Sequence, residues 1–124
     1  MFRGREMNKY KMTKEEENEI DRVVALYKGS EYEKMINVGF VYFIRAANGL
    51  FKAGRTNDIE KRFRSIQSMS PEKLELFHYF PTWDCAIAEQ EIHLMWAEYR
   101  THGEWFDLPN DEIHFIRTAR VNSL

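Results

Sequence analysis

The sequence predicts an α+β fold, in which a small central antiparallel three-stranded sheet is flanked by helices and preceded by an extra N-terminal helix. One observation is the apolar, aromatic and β-branched run GFVYFIRA (39–46), which is typical of a strand buried on both faces. Another is the pair Asn48-Gly49, a strong hairpin signal. A third is apolar spacing of helical period in four further segments. Together these observations predict the order helix, hairpin, helix, strand, helix, short strand, helix, which is an α+β arrangement with an antiparallel central sheet.

The first half of the chain follows this plan from local signals. Thr13 and Glu16 form a capping box, so the first helix is expected to begin there and to end at Gly29. After the turn, LFKAG (50–54) is expected to return as the second strand. Either Asn57 or Asp58 is expected to cap the short helix that follows, because both residue types accept hydrogen bonds from free N–H groups.

The second half predicts one more strand and two more helices. Residues 74–80 are interpreted as the third strand, closed by Pro81, and Asp84 is expected to cap a longer helix over about 85–100. GEWFDL (103–108) is interpreted as a short extended segment, and Pro109 precedes the last helix. The buried stripe of the long helix is expected to comprise Ala88, Ile92, Met95, Trp96 and Tyr99.

The chain is interpreted as one folded domain with two appended ends. Residues 1–36 are an N-terminal extension with one amphipathic helix, residues 37–119 form the main domain, and residues 120–124 are a tail; residues 1–12 are expected to be loose. Residues 13–34 contain seven acids and four bases, which makes them poor candidates for phosphate contact. The helix is therefore expected to pack on the domain or on a partner, and a homodimer through it is one hypothesis.

Composition limits the function classes. The 124 residues have a formal net charge of −2, so any case for nucleic-acid binding must rest on a local patch. Cys85 is the single cysteine, which argues against an internal disulfide and a structural zinc site. No apolar run approaches the length of a membrane helix, and the N-terminus lacks the apolar core of a signal peptide. These features predict an intracellular, cytoplasmic protein.

The stretch FKAGRTNDIEKR (51–62) contains the strongest local charge. Between Arg45 and Arg64 the sequence has six bases and two acids. Gly54 has no Cβ and permits close approach, while the helix that starts near Ile59 would aim free N–H groups at the same place. The stretch is interpreted as a phosphate-binding corner. The alternative interpretation is an ordinary solvated helix face.

Three further residues are candidates with equally ordinary alternatives. Tyr42 lies in the apolar strand; near the cations its pKa would fall, which would suit it to accept a proton, although a buried tyrosine more often only packs. Glu89 and His93 are spaced i, i+4 on the long helix. The glutamate is suited to a hard cation such as Mg²⁺, but the pair is equally compatible with a simple surface contact.

The order of these motifs resembles the GIY-YIG nuclease superfamily, in its small branch common in phage and bacterial genomes. Phe40-Val41-Tyr42 is similar to the first half of the signature, and Lys52-Ala53-Gly54, followed by Arg55, is similar to the second half. The positions of Arg62 in IEKR and Glu89 in AEQEIH match the helix arginine and the metal-binding glutamate of the family, and GEWF is similar to a sequence near the end of this branch. Phe40, Lys52 and Ala53 depart from the family's Gly, Tyr and Ile.

The resemblance implies a metal-dependent DNA endonuclease that hydrolyses phosphodiester bonds at a single-metal site. Tyr42 would be the base, with its pKa lowered by Lys52, and Arg62 would neutralise the phosphate. Glu89 would bind Mg²⁺ or Mn²⁺, and His93 would orient Glu89 or contact phosphate. Substrate contacts are expected at the residues Gly54, Arg55 and Arg64.

The alternative hypothesis is a catalytically weak or inactive module of the same fold that binds nucleic acid or a protein partner. It is motivated by the departures from the signature and by the acidic overall charge.

Overall fold

The computed structural model describes residues 11–119, and its centre is a three-stranded antiparallel sheet in the order β2-β1-β3. The strands are β1 (Gly39–Arg45), β2 (Phe51–Thr56) and β3 (Glu75–Thr82). The described α-helices are α1 (Lys14–Tyr27), α2 (Ile59–Ser68), α3 (Cys85–Met95) and α4 (Asn110–Thr118). Two short 3₁₀ segments lie at Glu33–Met35 and Ala97–Tyr99. The predicted α+β class, with its three-stranded sheet and N-terminal helix, is confirmed.

The β1–β2 hairpin sets the register of the sheet. Phe40 to Ile44 of β1 are buried, as the apolar run predicts. The hairpin loop closes with a hydrogen bond of 2.9 Å from the Gly49 amide to the Ala46 carbonyl, and Gly49 has a φ of +90°, which favours glycine. This loop places Tyr42 directly opposite Gly54 on β2.

The two faces of the sheet carry separate apolar layers. One layer includes Phe43 and Ala53 and packs against Ile92 of α3. The other includes Tyr42 and packs against Ile66 of α2. Because side chains alternate along a strand, β2 presents Lys52 and Gly54 on the α2 side of the sheet and Arg55 on the α3 side.

Local capping signals are largely confirmed. In α1, the Glu16 amide donates to Thr13 Oγ1 (3.1 Å) and the Thr13 amide donates to Glu16 Oε1 (2.8 Å). The cap of α2 is Asp58, whose Oδ1 accepts from the Lys61 amide at 3.1 Å. Asp84 precedes α3, but its carboxylate accepts from the Thr82 hydroxyl at 2.7 Å and makes no capping hydrogen bond.

Three element boundaries differ from the sequence-based prediction. β3 continues through Pro81, because an edge strand needs no N–H on its outer side. α3 ends at Met95 instead of about 100, since the chain tightens into the 3₁₀ segment Ala97–Tyr99. The segment 103–108 contributes only isolated bridges, from Phe106 to Phe51 and to Arg100, instead of a strand.

One member of the predicted buried stripe of α3 is exposed. Met95 has 45% of its surface accessible, whereas Ala88, Ile92 and Trp96 are buried at a spacing of four residues. Met95 is rotated about 100° around the helix from Trp96, because an α-helix has 3.6 residues per turn. Its side chain therefore falls outside the apolar stripe.

α1 contacts the rest of the domain. Ile20 and Val23 are buried, and the ring of Tyr27 lies 5.5 Å from that of Trp83. This confirms packing on the domain, while the homodimer through this helix stays a prediction. The expected loose N-terminus up to residue 10 and the tail 120–124 lie outside the described residues. Among residues 11–119, none of the helices is both long enough and apolar enough to cross a membrane.

Candidate active site

A cleft of about 840 Å³ lies at the β2 edge of the sheet. It is walled by β2, by α2, by the first half of α3 and by the loop residues Glu104 and Trp105. Six of the eight predicted site residues line it: Tyr42, Lys52, Gly54, Arg55, Arg62 and Glu89. The remaining two, Arg64 and His93, do not line it.

Gly54 makes room for the phenol of Tyr42. A Cβ on Gly54 would lie 3.0 Å from Tyr42 Cε1 and closer still to Cζ and to the hydroxyl oxygen. The absence of a side chain at Gly54 therefore provides space for the ring of Tyr42, whereas the sequence-based interpretation assigned that space to a ligand. As a result, Tyr42 lies across β2 and presents its hydroxyl to the cleft, although the residue as a whole is only 4% exposed.

The predicted fall in the pKa of Tyr42 is wrong. Burial raises the pKa of this phenol above its ordinary value, and the nearby Arg62 guanidinium offsets the rise only in part. The carboxylates of Glu89 and Glu104 raise the pKa further, because they disfavour a second negative charge. The sequence already favoured a buried, packing role for Tyr42, but the expected direction of its pKa shift took only the nearby cations into account.

Lys52 is held by a partner that sequence reasoning missed. Its Nζ lies 2.5 Å from Glu104 Oε1, and 17% of the lysine side chain is exposed. The hydrogen bond and the charge of Lys52 hold the pKa of the Glu104 carboxyl below its usual value. Glu104 belongs to the GEWF segment, but no local pattern reveals a contact between residues 52 positions apart. Lys52 is therefore neutralised in this state and does not depress the pKa of Tyr42.

Arg55 and Glu89 form the second ion pair of the cleft. Arg55 Nε donates to Glu89 Oε1 at 3.1 Å, across the side of the sheet that faces α3. Arg55 also lies beside the buried thiol of Cys85, where burial raises the thiol pKa and Arg55 opposes that rise. Glu89, the predicted metal ligand, is therefore paired with Arg55, which was predicted to bind substrate.

Within residues 11–119, Arg62 is the cation of the cleft that has no ion-pair partner. Among residues 11–119, its guanidinium has no ion pair and no side-chain hydrogen bond, and the residue is exposed. The start of α2 contributes less than expected to anion binding, because Asp58 already accepts from the Lys61 amide. Arg62 is consequently the best-placed group for a phosphate oxygen.

His93 does not line the cleft, and its contacts are with the backbone of β2 and with an aromatic ring. Its Nε2 lies 2.9 Å from the Ala53 carbonyl oxygen, and its ring lies 5.6 Å from that of Phe106. These contacts join α3 to β2 and to the loop before α4. The predicted roles of orienting Glu89 or contacting phosphate are not supported by any contact of His93 within residues 11–119.

The donor set of the cleft suits one type of metal ion. Among residues 11–119 there is no cluster of three or more His, Cys, Asp or Glu side chains that could hold an ion. Mg²⁺ needs only one or two carboxylates and takes its other oxygens from water and phosphate. Glu89 is one such carboxylate, and the ion pair that engages it is partly exposed (46% and 25% of the two side chains), so this pair contributes little stability.

A comparison with protein families matches residues 39–119 to the T5orf172 domain. The chain belongs to this family. The T5orf172 domain is a phage-associated domain of a nuclease-related group. Comparisons with curated proteins and with solved structures gave no match.

The T5orf172 match contains all eight predicted site residues and excludes α1. The part of the cleft that carries charge therefore belongs to the family domain, whereas the N-terminal helix is an addition to it. Membership of the T5orf172 family associates the chain with nuclease-like or DNA-binding roles. The finer resemblance to GIY-YIG enzymes stays a resemblance.

Proposed function

We propose that this T5orf172 protein is a DNA endonuclease that hydrolyses phosphodiester bonds with one Mg²⁺ or Mn²⁺ ion. The observation that supports the proposal is the convergence of Tyr42, Arg62 and Glu89 on one open cleft from three separate elements. A hydroxyl, an unpaired guanidinium and a carboxylate are the groups that phosphoryl chemistry requires at one phosphate.

Arg62 binds the phosphate and stabilises its growing negative charge. Its guanidinium has no competing partner within residues 11–119, so all its donors are available to phosphate oxygens. Because it projects from the first turn of α2, its backbone is fixed by the Asp58 cap. Pre-organised charge of this kind lowers the barrier without a reorganisation step.

Tyr42 removes a proton from the attacking water, and it does so as the phenolate. Its raised pKa leaves only a small phenolate fraction at neutral pH, so the rate is expected to rise with pH. The phenol is held in one position by its own strand and by the Gly54 backbone beneath it. This rigidity keeps the hydroxyl aimed at the cleft.

Glu89 would hold the ion after exchanging its contact with Arg55. The ion would supply Lewis-acid stabilisation of the leaving oxygen. Arg55, once released, keeps its charge in the cleft and can bind a second phosphate oxygen. In the same way, Lys52 becomes available to phosphate when Glu104 moves aside.

A second candidate is a binding module with weak or no catalysis. It is favoured by the Arg55–Glu89 pair, which occupies the predicted metal-binding carboxylate, and by the raised pKa of Tyr42. Such a module would bind DNA through Arg62 in a salt-dependent way without cleaving it, or would bind a protein partner.

Cleavage of a panel of linear, supercoiled and branched DNA separates the two candidates. The purified protein is expected to nick or cut at least one substrate when Mn²⁺ or Mg²⁺ is present and none when the ion is chelated. Glu89→Ala is expected to abolish cleavage without weakening DNA binding, because it removes a carboxylate from the cleft and releases Arg55. Salt-dependent binding without cleavage of any substrate would support the binding module instead, and cleavage that survives Glu89→Ala would refute the proposed site.

A further inference from the structure

The cleft has an apolar wall in addition to its charged residues. The side chains of this wall come from α2, the turn after it and the loop before α4: Ile66, Met69, Pro71, Leu74 and Trp105. Met69 is 78% exposed, so its side chain is accessible to a ligand in the cleft. Hydrolysis of a phosphodiester needs none of these residues.

Trp105 is held as a fixed platform in this wall. Its carbonyl accepts from the Thr101 amide at 2.9 Å, and the next residue, Phe106, exchanges backbone hydrogen bonds of 2.8 and 2.9 Å with Phe51. The Trp105 side chain is half-buried against the apolar layer on the α2 side of the sheet. Within residues 11–119, its indole N–H has no hydrogen-bond acceptor and its ring has no aromatic partner.

The same tryptophan borders a second depression. A smaller hollow of about 200 Å³ runs from Trp105 to the β1–β2 hairpin loop, where Asn48 and Leu50 line it. It shares Pro71 and Leu74 with the main cleft. The charged cleft and the hollow beside the hairpin loop are therefore adjacent and share the Trp105 wall.

Charge alone gives the cleft little affinity for a duplex. Residues 11–119 contain 19 acidic and 14 basic side chains, so no net positive field attracts DNA to this part of the chain. In the cleft, Lys52 and Arg55 are already paired, and Arg62 supplies one uncompensated cation. One cation fits one phosphate, whereas non-specific duplex binding depends on many phosphate contacts.

We propose that the cleft binds an unpaired nucleotide of DNA, with its phosphate at Arg62 and its base stacked on Trp105 against Met69. This inference rests on the proposed nuclease function and specifies its substrate class: single-stranded DNA, or the unpaired segment of a branched or frayed duplex. A base held within a duplex keeps its faces covered by its neighbours and has none to offer to Trp105. An unpaired base stacks on an aromatic side chain regardless of sequence.

The test compares the affinity of the protein for a DNA strand with its affinity for the same strand without bases, which keeps the phosphates. Fluorescence anisotropy of the full chain, without divalent ions so that no cleavage occurs, compares three labelled ligands of equal length: oligo-thymidine, its abasic counterpart and a duplex. Oligo-thymidine is expected to bind about tenfold more tightly than the abasic strand, in line with the usual contribution of one stacked base.

Substitutions then assign that preference to Trp105. Trp105→Leu is expected to bring the ratio of the two affinities close to one, whereas Trp105→Phe keeps an aromatic face and most of the ratio. Trp83→Leu is the matched control, because Trp83 is also half-buried but contacts Tyr27 and lies outside the cleft. Circular dichroism of each variant establishes that it is folded. If Trp105→Leu does not fold, Met69→Ser on the exposed side of the same wall is expected to lower the ratio instead, and an unchanged ratio would overturn the site.

The outcomes separate this inference from the nuclease proposal. Equal affinity for the three ligands, or a preference unchanged by Trp105→Leu, overturns the nucleotide site even if the protein cleaves DNA. A preference that depends on Trp105, in a protein that cleaves nothing, supports the nucleotide site and refutes the nuclease. Absence of binding to all three ligands overturns the nucleotide site, and the cleavage panel with Mg²⁺ or Mn²⁺ then decides the nuclease proposal separately.

Discussion

Gly54→Ala tests the packing of Tyr42 on β2. The new Cβ would lie 3.0 Å from Tyr42 Cε1 and nearer to the end of the ring, so the phenol has to move. The ring is rigid and the residue is 4% exposed, so its displacement costs about 1–3 kcal/mol, as in other overpacked cores. Gly54 does not have a positive φ, and replacing a strand glycine by alanine otherwise contributes about 0.5–1 kcal/mol in favour of folding.

The net expectation is a loss of about 1 kcal/mol in the free energy of unfolding, or about 4 °C in Tm for a chain of this size. Thermal unfolding followed by circular dichroism measures it. In a Tyr42→Leu background the clash is absent, because leucine does not reach as far as the phenol. There the same glycine substitution is expected to raise Tm. An increase in Tm in both backgrounds would refute the close packing of Tyr42 on Gly54.

Three further predictions concern the charges of the cleft. Arg62→Ala is expected to weaken DNA binding by about tenfold without lowering Tm, since one charge-assisted contact contributes about 1.5 kcal/mol or more. The matched comparison in a binding titration is Arg64→Ala, because Arg64 is also exposed but lies outside the cleft. Equal losses of affinity in the two variants would contradict the role of Arg62. Because the pKa of Tyr42 is raised, the folded state holds the phenol proton more tightly than the unfolded state, and stability is expected to fall as pH rises above about 10. Denaturant titrations at pH 9 and 11 should show a smaller loss of stability in Tyr42→Phe than in the unsubstituted protein. Identical losses would contradict the raised pKa of Tyr42. Glu104→Gln removes a carboxylate from the cleft and releases Lys52, so DNA binding is expected to tighten severalfold at low salt and less at high salt. Weaker binding would instead show that Glu104 itself contacts the DNA.

Local signals predicted the scaffold of the site well. The Thr13 capping box, the turn at Gly49 and the Asp58 cap each depend on residues within a few positions of one another, and each is present. The apolar run around Tyr42 predicted a central strand for the same reason, since burial on both faces leaves no polar alternation.

Long-range pairing could not be predicted in this way. Lys52 lies 52 positions from Glu104, and Arg55 lies 34 positions from Glu89, so no periodicity relates the partners. These two pairs changed the expected electrostatics, because they neutralise cations that the sequence count left free. Burial of Tyr42 then reversed the expected direction of its pKa shift.

The boundary of α3 was missed for a related reason. The sequence continues with helix-compatible residues to about 100, but the chain turns at Trp96, and Phe106 returns to pair with Phe51. That pairing places Glu104 and Trp105 at the cleft. The GEWF segment was recognised by resemblance, whereas the contacts it makes with the cleft required the fold.

The most direct test of the phosphodiesterase site compares Glu89→Gln with Glu91→Gln. Glu91 lies two residues further along α3, is exposed and does not line the cleft, so the two substitutions remove the same charge from different faces of one helix. The measurement is the rate at which each protein nicks supercoiled DNA in Mn²⁺. Glu91→Gln is expected to match the unsubstituted protein and Glu89→Gln to lose at least a hundredfold in rate. Equal rates for the two variants would contradict the assignment of the cleft as the catalytic site.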